Sequence, residues 1–248
     1  MQNFEKVNTP QTTARLRNVE ALLVGIERSK NRPPHLPGLV VFSGPSGYGK
    51  SYAAAYAANV YDAYYVELKS TWTVKYLLQQ ICKEMGLAFT SSMTLADLSE
   101  AITDQLTNSD RALIIDEFDY MVDKNKVDIA RDLFEGSASP IILIGEELLP
   151  MKLQKWERTA GRVLEYIQAQ PASLEDAVEL RKLYSGGVEI ADDLLNEIWK
   201  VSKGSVRRIC VNLDNVKETA LCEGKGKINL EEWGNRPLYT GAAPARRV

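Results

Sequence analysis

Apolar residues recur along the chain at two different periods. Over residues 12–30, Leu16, Val19, Leu22, Leu23 and Ile26 fall three and four apart, which predicts a helix with Thr12 or Thr13 as its N-cap. NRPPHLPG then breaks the chain, and the unbroken apolar run GLVVFS (38–43) predicts a buried strand. A glycine-rich turn leads into alanine-rich SYAAAYAANV (51–60), a helix by propensity. AYYVEL (63–68) reads as a second strand. Two further helices are expected at about 72–85, with Leu77, Leu78 and Ile81 inward, and at 94–107, capped by Thr94 with Leu95, Leu98, Ile102 and Leu106 inward. RALIID (111–116), PIILIG (140–145) and RVLEYI (162–167) supply strands three to five. Strands alternating with helices imply right-handed βαβ units, so the fold class is α/β: a parallel five-stranded sheet flanked by helices. After Pro171 the pattern changes, and 173–184, 190–201 and 205–222 read as three helices with no strand between them. The expected organisation is an α/β core with its N-terminal helix over 1–170, a small helical domain over 171–234, and a loose tail over 235–248.

Composition narrows the class. The 248 residues are 45% hydrophobic and 25% charged, values of a folded globular chain that argue against disorder. Cys82, Cys210 and Cys222 are an odd, scattered set without a CxxC pair, against a zinc site or disulfide framework and in keeping with a reducing compartment. No apolar run approaches the roughly 20 residues of a membrane span, and the first residues lack the apolar core of a signal peptide. A cytoplasmic location with no membrane partner is expected. The net charge of −3 removes a global basic footprint for nucleic acid. Residues 1–32 nevertheless carry six Lys or Arg against three Glu, and the chain ends in the basic PARRV.

The sharpest chemical signal is GPSGYGKS (44–51), which fits GxxxxGK[ST] with an apolar strand before it and a helix after it. Gly44, Gly47 and Gly49 allow a tight turn whose N–H groups point at phosphate oxygens. Pro45, Ser46 and Tyr48 fill the turn, and Tyr52 follows it. The helix N-terminus adds its positive end. Lys50 supplies a mobile charge for the β- and γ-phosphates, and the Ser51 hydroxyl a ligand for Mg²⁺. ATP and Mg²⁺ are the expected cofactors. The second signal is ALIIDE (112–117), an apolar strand ending in two carboxylates. Asp116 would hold Mg²⁺ and Glu117 would polarise the attacking water. Asp119 could join them or cap the next helix.

The Asp-Glu pair, the helical domain after the sheet and KGSVRR (203–208) together resemble the AAA+ P-loop ATPases, in which the helical domain is a lid. The resemblance implies that Arg207, in a GxxR segment opening a lid helix, reaches the γ-phosphate, with Arg208 the alternative. Where that family keeps a polar residue at the tip of the fourth strand, this chain has Gly145 and Glu146. Glu146 is either a water-positioning group or a surface acid.

VELKSTWTVKYLLQQI (66–81), LIGEELLPMKLQKWERTAGRVLEY (143–166) and the start NTPQTTARL further resemble the DNA-transposition ATPases of the phage Mu B type. That resemblance implies a homo-oligomer, ring or helical filament, on double-stranded DNA, with a transposase as partner. Proteins of that type also carry an N-terminal DNA-binding helical domain; since this sequence begins almost at the ATPase core, its DNA contact is expected from elsewhere. Arg158 and Arg162 are candidates for a finger completing a neighbouring subunit's site. Lys69, Ser70, Thr71, Trp72, Thr73 and Lys75, between a strand and a helix start, suit phosphate contact without base reading. Lys124 and Lys126, after the Asp-Glu strand, form a second patch. The plainer reading is two polar loops with Trp72 packed in the core. A replication initiator or helicase loader of the same fold, or a nucleotide-gated scaffold with little turnover, are the alternative functions.

Overall fold

The computed structural model describes residues 14–242, which fall into two compact units, 18–170 and 171–242 with 14–17. In the first, β1 (Leu39–Ser43), β2 (Tyr64–Glu67), β3 (Leu113–Asp116), β4 (Ile141–Gly145) and β5 (Val163–Gln168) form one sheet in the order β2-β3-β4-β1-β5. All four pairings are parallel, as the alternation of strand and helix requires. Each of the five strands lies within a residue or two of its expected place. The Thr12 or Thr13 cap lies outside the described residues.

Alternation along the strands divides the core. Leu39, Val41, Leu113, Ile115, Ile141 and Leu143 pack on one face against α3 (Val74–Glu84), α4 (Leu95–Ser109) and α6 (Asp128–Ser137). The helix α1 (Arg17–Lys30) packs on β1 and β5: a Cβ on Gly25 would stand 2.4 Å from Ile167 Cδ1 and 3.5 Å from Val40 Cγ1. α2 (Lys50–Tyr61) buries Ala53, Ala54 and Ala57, small side chains that let it approach the sheet. Thr94 caps α4 in a reciprocal capping box with Asp97. Three short helices complete the unit: α5 (Asp119–Asp123), α7 (Leu149–Leu153) and α8 (Glu157–Ala160).

The second unit holds α9 (Leu174–Tyr184), α10 (Asp192–Ser202), α11 (Val206–Cys222) and α12 (Leu230–Trp233). Two corrections to the sequence reading fall here. β6 (Glu189–Ile190) lies between two of the helices and pairs in parallel with β7 (Lys227–Ile228); two-residue strands leave no periodicity to read. Residues 235–242 are anchored rather than loose: buried Asn212 accepts from Tyr239 N (2.6 Å) and donates to Tyr239 O (2.9 Å). Residues 14–17 also group with this unit, where Arg17 N donates to Asp176 Oδ1 at 2.9 Å.

Candidate phosphate and nucleic-acid sites

The turn after β1 sits at the carboxyl end of the central strands, the edge where open parallel sheets bind ligands. Gly47 and Gly49 adopt φ of 85° and 83°, and Gly49 is the left-handed N-cap of α2. A Cβ on Gly44 would stand 2.7 Å from Ala169 Cβ, so that backbone passes close against the end of β5. Asn18 on α1 fixes the loop from behind, donating to Tyr48 O (2.9 Å) and Gln170 O (2.8 Å) while accepting from Gln170 N (2.8 Å). Its sequence signal was a polar residue four before Leu22, on the buried face of an apolar helix.

Lys50, the first residue of α2, folds back over the loop. Its ammonium donates to Gly44 O at 2.7 Å and Pro45 O at 3.0 Å, which holds the charge where the chain turns. Burial pushes its pKa below the ordinary lysine value, opposed by the charges of Asp116, Glu117, Glu146 and Asp119. The fold therefore brings these four carboxyl groups and Lys50 together from three strand ends. Ser51 is exposed in the first turn of α2.

Asp116 ends β3 with 1% exposure. Its Oδ1 accepts from Glu117 N at 2.8 Å and its Oδ2 from Tyr65 Oη at 3.1 Å. Glu117 has φ of 58°, a left-handed conformation for a residue with a Cβ, of the kind that concentrates at functional sites. Burial, then the charge of Asp116, push the Glu117 carboxyl above the usual range, with Lys50 opposing. Burial and Asp116 also raise the Tyr65 phenol, which stays a donor. Mg²⁺ fits this donor set: each Asp116 oxygen keeps a lone pair beyond its one hydrogen bond, and Mg²⁺ is commonly held by one or two carboxylates plus substrate phosphates.

Asp119 does not cap α5; Phe118 holds that position. Asp119 is 5% exposed, and its Oδ2 accepts from Glu146 N at 2.6 Å while its Oδ1 pairs with Lys152 at 3.2 Å. A Cβ on Gly145 would stand 2.1 Å from that Oδ2. The departure at the tip of β4 thus has a steric cause: a carboxylate from α5 fills the space beside Gly145, and Glu146 is carried to the exposed side.

The two arginines before β5 differ. Arg158 on α8 is exposed and makes no ion pair among the described residues, whereas Arg162 donates to Glu135 Oε1 from Nε at 2.7 Å and Nη2 at 2.6 Å. Both precede the amino end of β5, where Leu39 N bonds Arg162 O at 3.0 Å. In the helical unit, Lys203 and Gly204 take φ of 49° and 76°, and Ser205 caps α11. A Cβ on Gly204 would stand 2.3 Å from Pro171 Cβ. Arg207 is exposed in the first turn of α11, while Arg208 lies against Gly241.

The two basic patches meet. Lys124 Nζ donates to Ser70 O (2.5 Å) and Trp72 O (2.6 Å), closing the loop after α5 onto the loop after β2. Lys69 pairs with Glu67, and Lys75 donates to Ser91 O at 2.9 Å. Thr73 caps α3 and accepts from Tyr76 N. Trp72 is half-buried against the core and meets Tyr76 edge-on at 5.1 Å. Ser70, Thr71 and Lys126 are exposed.

Residues 34–153 match the family model described as "AAA domain". The fold is that of the AAA+ P-loop NTPases. Among solved structures, the chain resembles Cdc6p from Pyrobaculum aerophilum, with TM-score 0.63, 13% identity, 89% of this chain covered and 66% of that one. It also resembles the Aeropyrum pernix Orc1 protein in complex with DNA, with TM-score 0.62, 15% identity, and 87% and 62% covered. The chain thus spans just under two thirds of each. No curated protein matches. Among the described residues, no helix of this AAA+ fold is long and apolar enough to cross a membrane.

Proposed function

We propose that the protein is an ATPase that assembles head to tail on double-stranded DNA with little sequence preference, delivers that DNA to a transposase and stimulates it. The observation that carries assembly is the placement of charge on opposite edges of one sheet. The phosphate loop leaves the carboxyl end of β1, while Arg158 and Arg162 sit before the amino end of β5, paired with the start of β1. Five residues of strand separate the edges, about 16 Å, so neither arginine reaches its own loop within the unit. A finger from this edge acts on a neighbour, and a heterologous contact of that kind closes as a ring or propagates as a filament.

At the site, Lys50 and the loop N–H groups bind the phosphates, and Ser51 and Asp116 hold Mg²⁺, which when bound neutralises charge on the phosphate oxygens. Glu117, with its raised proton affinity, orients and polarises the attacking water. Arg158, the unpaired member of its pair, stabilises the transferred phosphoryl from the next subunit. The AAA+ resemblance gives Arg207 the role of the lid arginine for the γ-phosphate. The transposase partner rests on the Mu B-like stretches at 66–81 and 143–166.

Subunit mixing tests the trans arrangement. Arg158→Ala alone should lower turnover about a thousandfold. Mixing it with Glu117→Gln should restore part of the rate, because an intact arginine then faces an intact site. Full turnover in Arg158→Ala and Arg162→Ala at oligomeric concentrations would end the proposal. A second reading, a replication initiator or loader, is favoured by the Cdc6p and DNA-bound Orc1 likenesses. Electron microscopy with DNA and a non-hydrolysable ATP analogue separates them: DNA-coated helices support transposition, small open rings a loader.

A further inference from the structure

The structure assigns Tyr65 as a positioning residue that fixes the Asp116 carboxylate for Mg²⁺, an inference that rests on the ATPase reading above. In the β2–β3 register Tyr65 lies opposite Ile114 and Glu67 opposite Asp116. Tyr65 and Asp116 are therefore diagonal neighbours on one face of the sheet, a separation that an aromatic side chain spans. The phenol reaches the edge and donates to Asp116 Oδ2 at 3.1 Å, while Glu117 N holds Oδ1 at 2.8 Å. The terminal torsion of an aspartate is broad, and one donor on each oxygen fixes it. Each oxygen keeps a lone pair for the metal. Removing a partner that orients a metal ligand in this way typically costs about 10–100-fold in metal affinity.

The neighbouring tyrosine provides an internal control. Tyr64 is 1% exposed, points to the opposite face, and its hydroxyl accepts from Gln105 Nε2 at 2.9 Å, away from the carboxylates. Tyr64→Phe and Tyr65→Phe each delete one hydroxyl and keep the ring, but only the second touches Asp116.

The experiment is a fluorescence titration of an ADP analogue on the full chain, first in EDTA and then with Mg²⁺ added at fixed nucleotide. The half-saturating Mg²⁺ concentration should rise about tenfold in Tyr65→Phe. It should stay at the wild-type value in Tyr64→Phe, and affinity in EDTA should be the same in all three. Equal Mg²⁺ dependence in Tyr65→Phe and wild type overturns the inference while leaving the ATPase reading standing. An equal shift in Tyr64→Phe also overturns it, because the loss would then be general loosening of the sheet. Wild-type binding that ignores Mg²⁺ also overturns the inference, and absence of nucleotide binding in every condition overturns the ATPase reading with it.

Discussion

Lys50 and Lys124 make the same kind of bond in two different regions. Each ammonium donates to two main-chain carbonyls: Lys50 to Gly44 and Pro45, Lys124 to Ser70 and Trp72. Lys50 bonds carbonyls of the turn it belongs to, is partly desolvated, and is surrounded by carboxylates. Releasing it to a phosphate leaves the tertiary structure intact. Lys124 is exposed and fastens two loops far apart in sequence, so releasing it to a DNA phosphate costs the docking of one loop on the other. A lysine's partners therefore indicate its work better than its charge does. Of Lys69, Lys75, Lys124 and Lys126, only Lys126 lacks a side-chain hydrogen bond or ion pair among the described residues.

The largest expected effects lie on the phosphate side of this comparison. Lys50→Ala should abolish nucleotide binding, read by fluorescent-nucleotide titration. Glu117→Gln should bind ATP like wild type and hydrolyse it at least a hundredfold more slowly in a phosphate-release assay. Wild-type turnover there would remove Glu117 from the mechanism. Next comes the packing beside the site. Gly145→Ala drives a methyl against Asp119 and should cost about 1–3 kcal/mol, lowering Tm by several degrees in a thermal melt. An unchanged Tm would mean that Asp119 swings away freely.

The smallest effects sharpen the comparison most. Lys126→Ala should weaken two unrelated duplexes alike and reduce the salt slope by about one per bound subunit. Lys124→Ala should weaken both duplexes at every salt concentration with the slope unchanged, since it removes a loop fastening rather than a phosphate contact. A slope change in Lys124→Ala equal to that in Lys126→Ala would dissolve the distinction. Strong preference for one duplex would point to an initiator that reads bases.

What the sequence revealed follows from how local each feature is. The turn at 44–51 and the strand ending in Asp116 were legible because each is set by residues within eight positions of one another. Tyr65 and Asn18 were not, because their partners lie 51 residues away at Asp116 and 30 at Tyr48. Lys75 and Lys124 look like available charge in the linear pattern because nothing in it shows Ser91, Ser70 or Trp72 closing on them. β6 and β7 escaped because strands of two residues depend on their partner for identity. The anchored stretch 235–242 escaped because a single buried amide, Asn212, recognises backbone, which has no sequence signature.

The left-handed backbone at Glu117 has a consequence for anyone improving this protein. A side chain at φ 58° is held against its preference by roughly 1–2 kcal/mol, which glycine would release. If Glu117 polarises the attacking water as proposed, a library selected for heat resistance alone would be enriched in Glu117→Gly, a hardier chain that holds its nucleotide and no longer turns it over. Robustness and turnover would then compete at one position, and a screen that rewards only the first would discard the second.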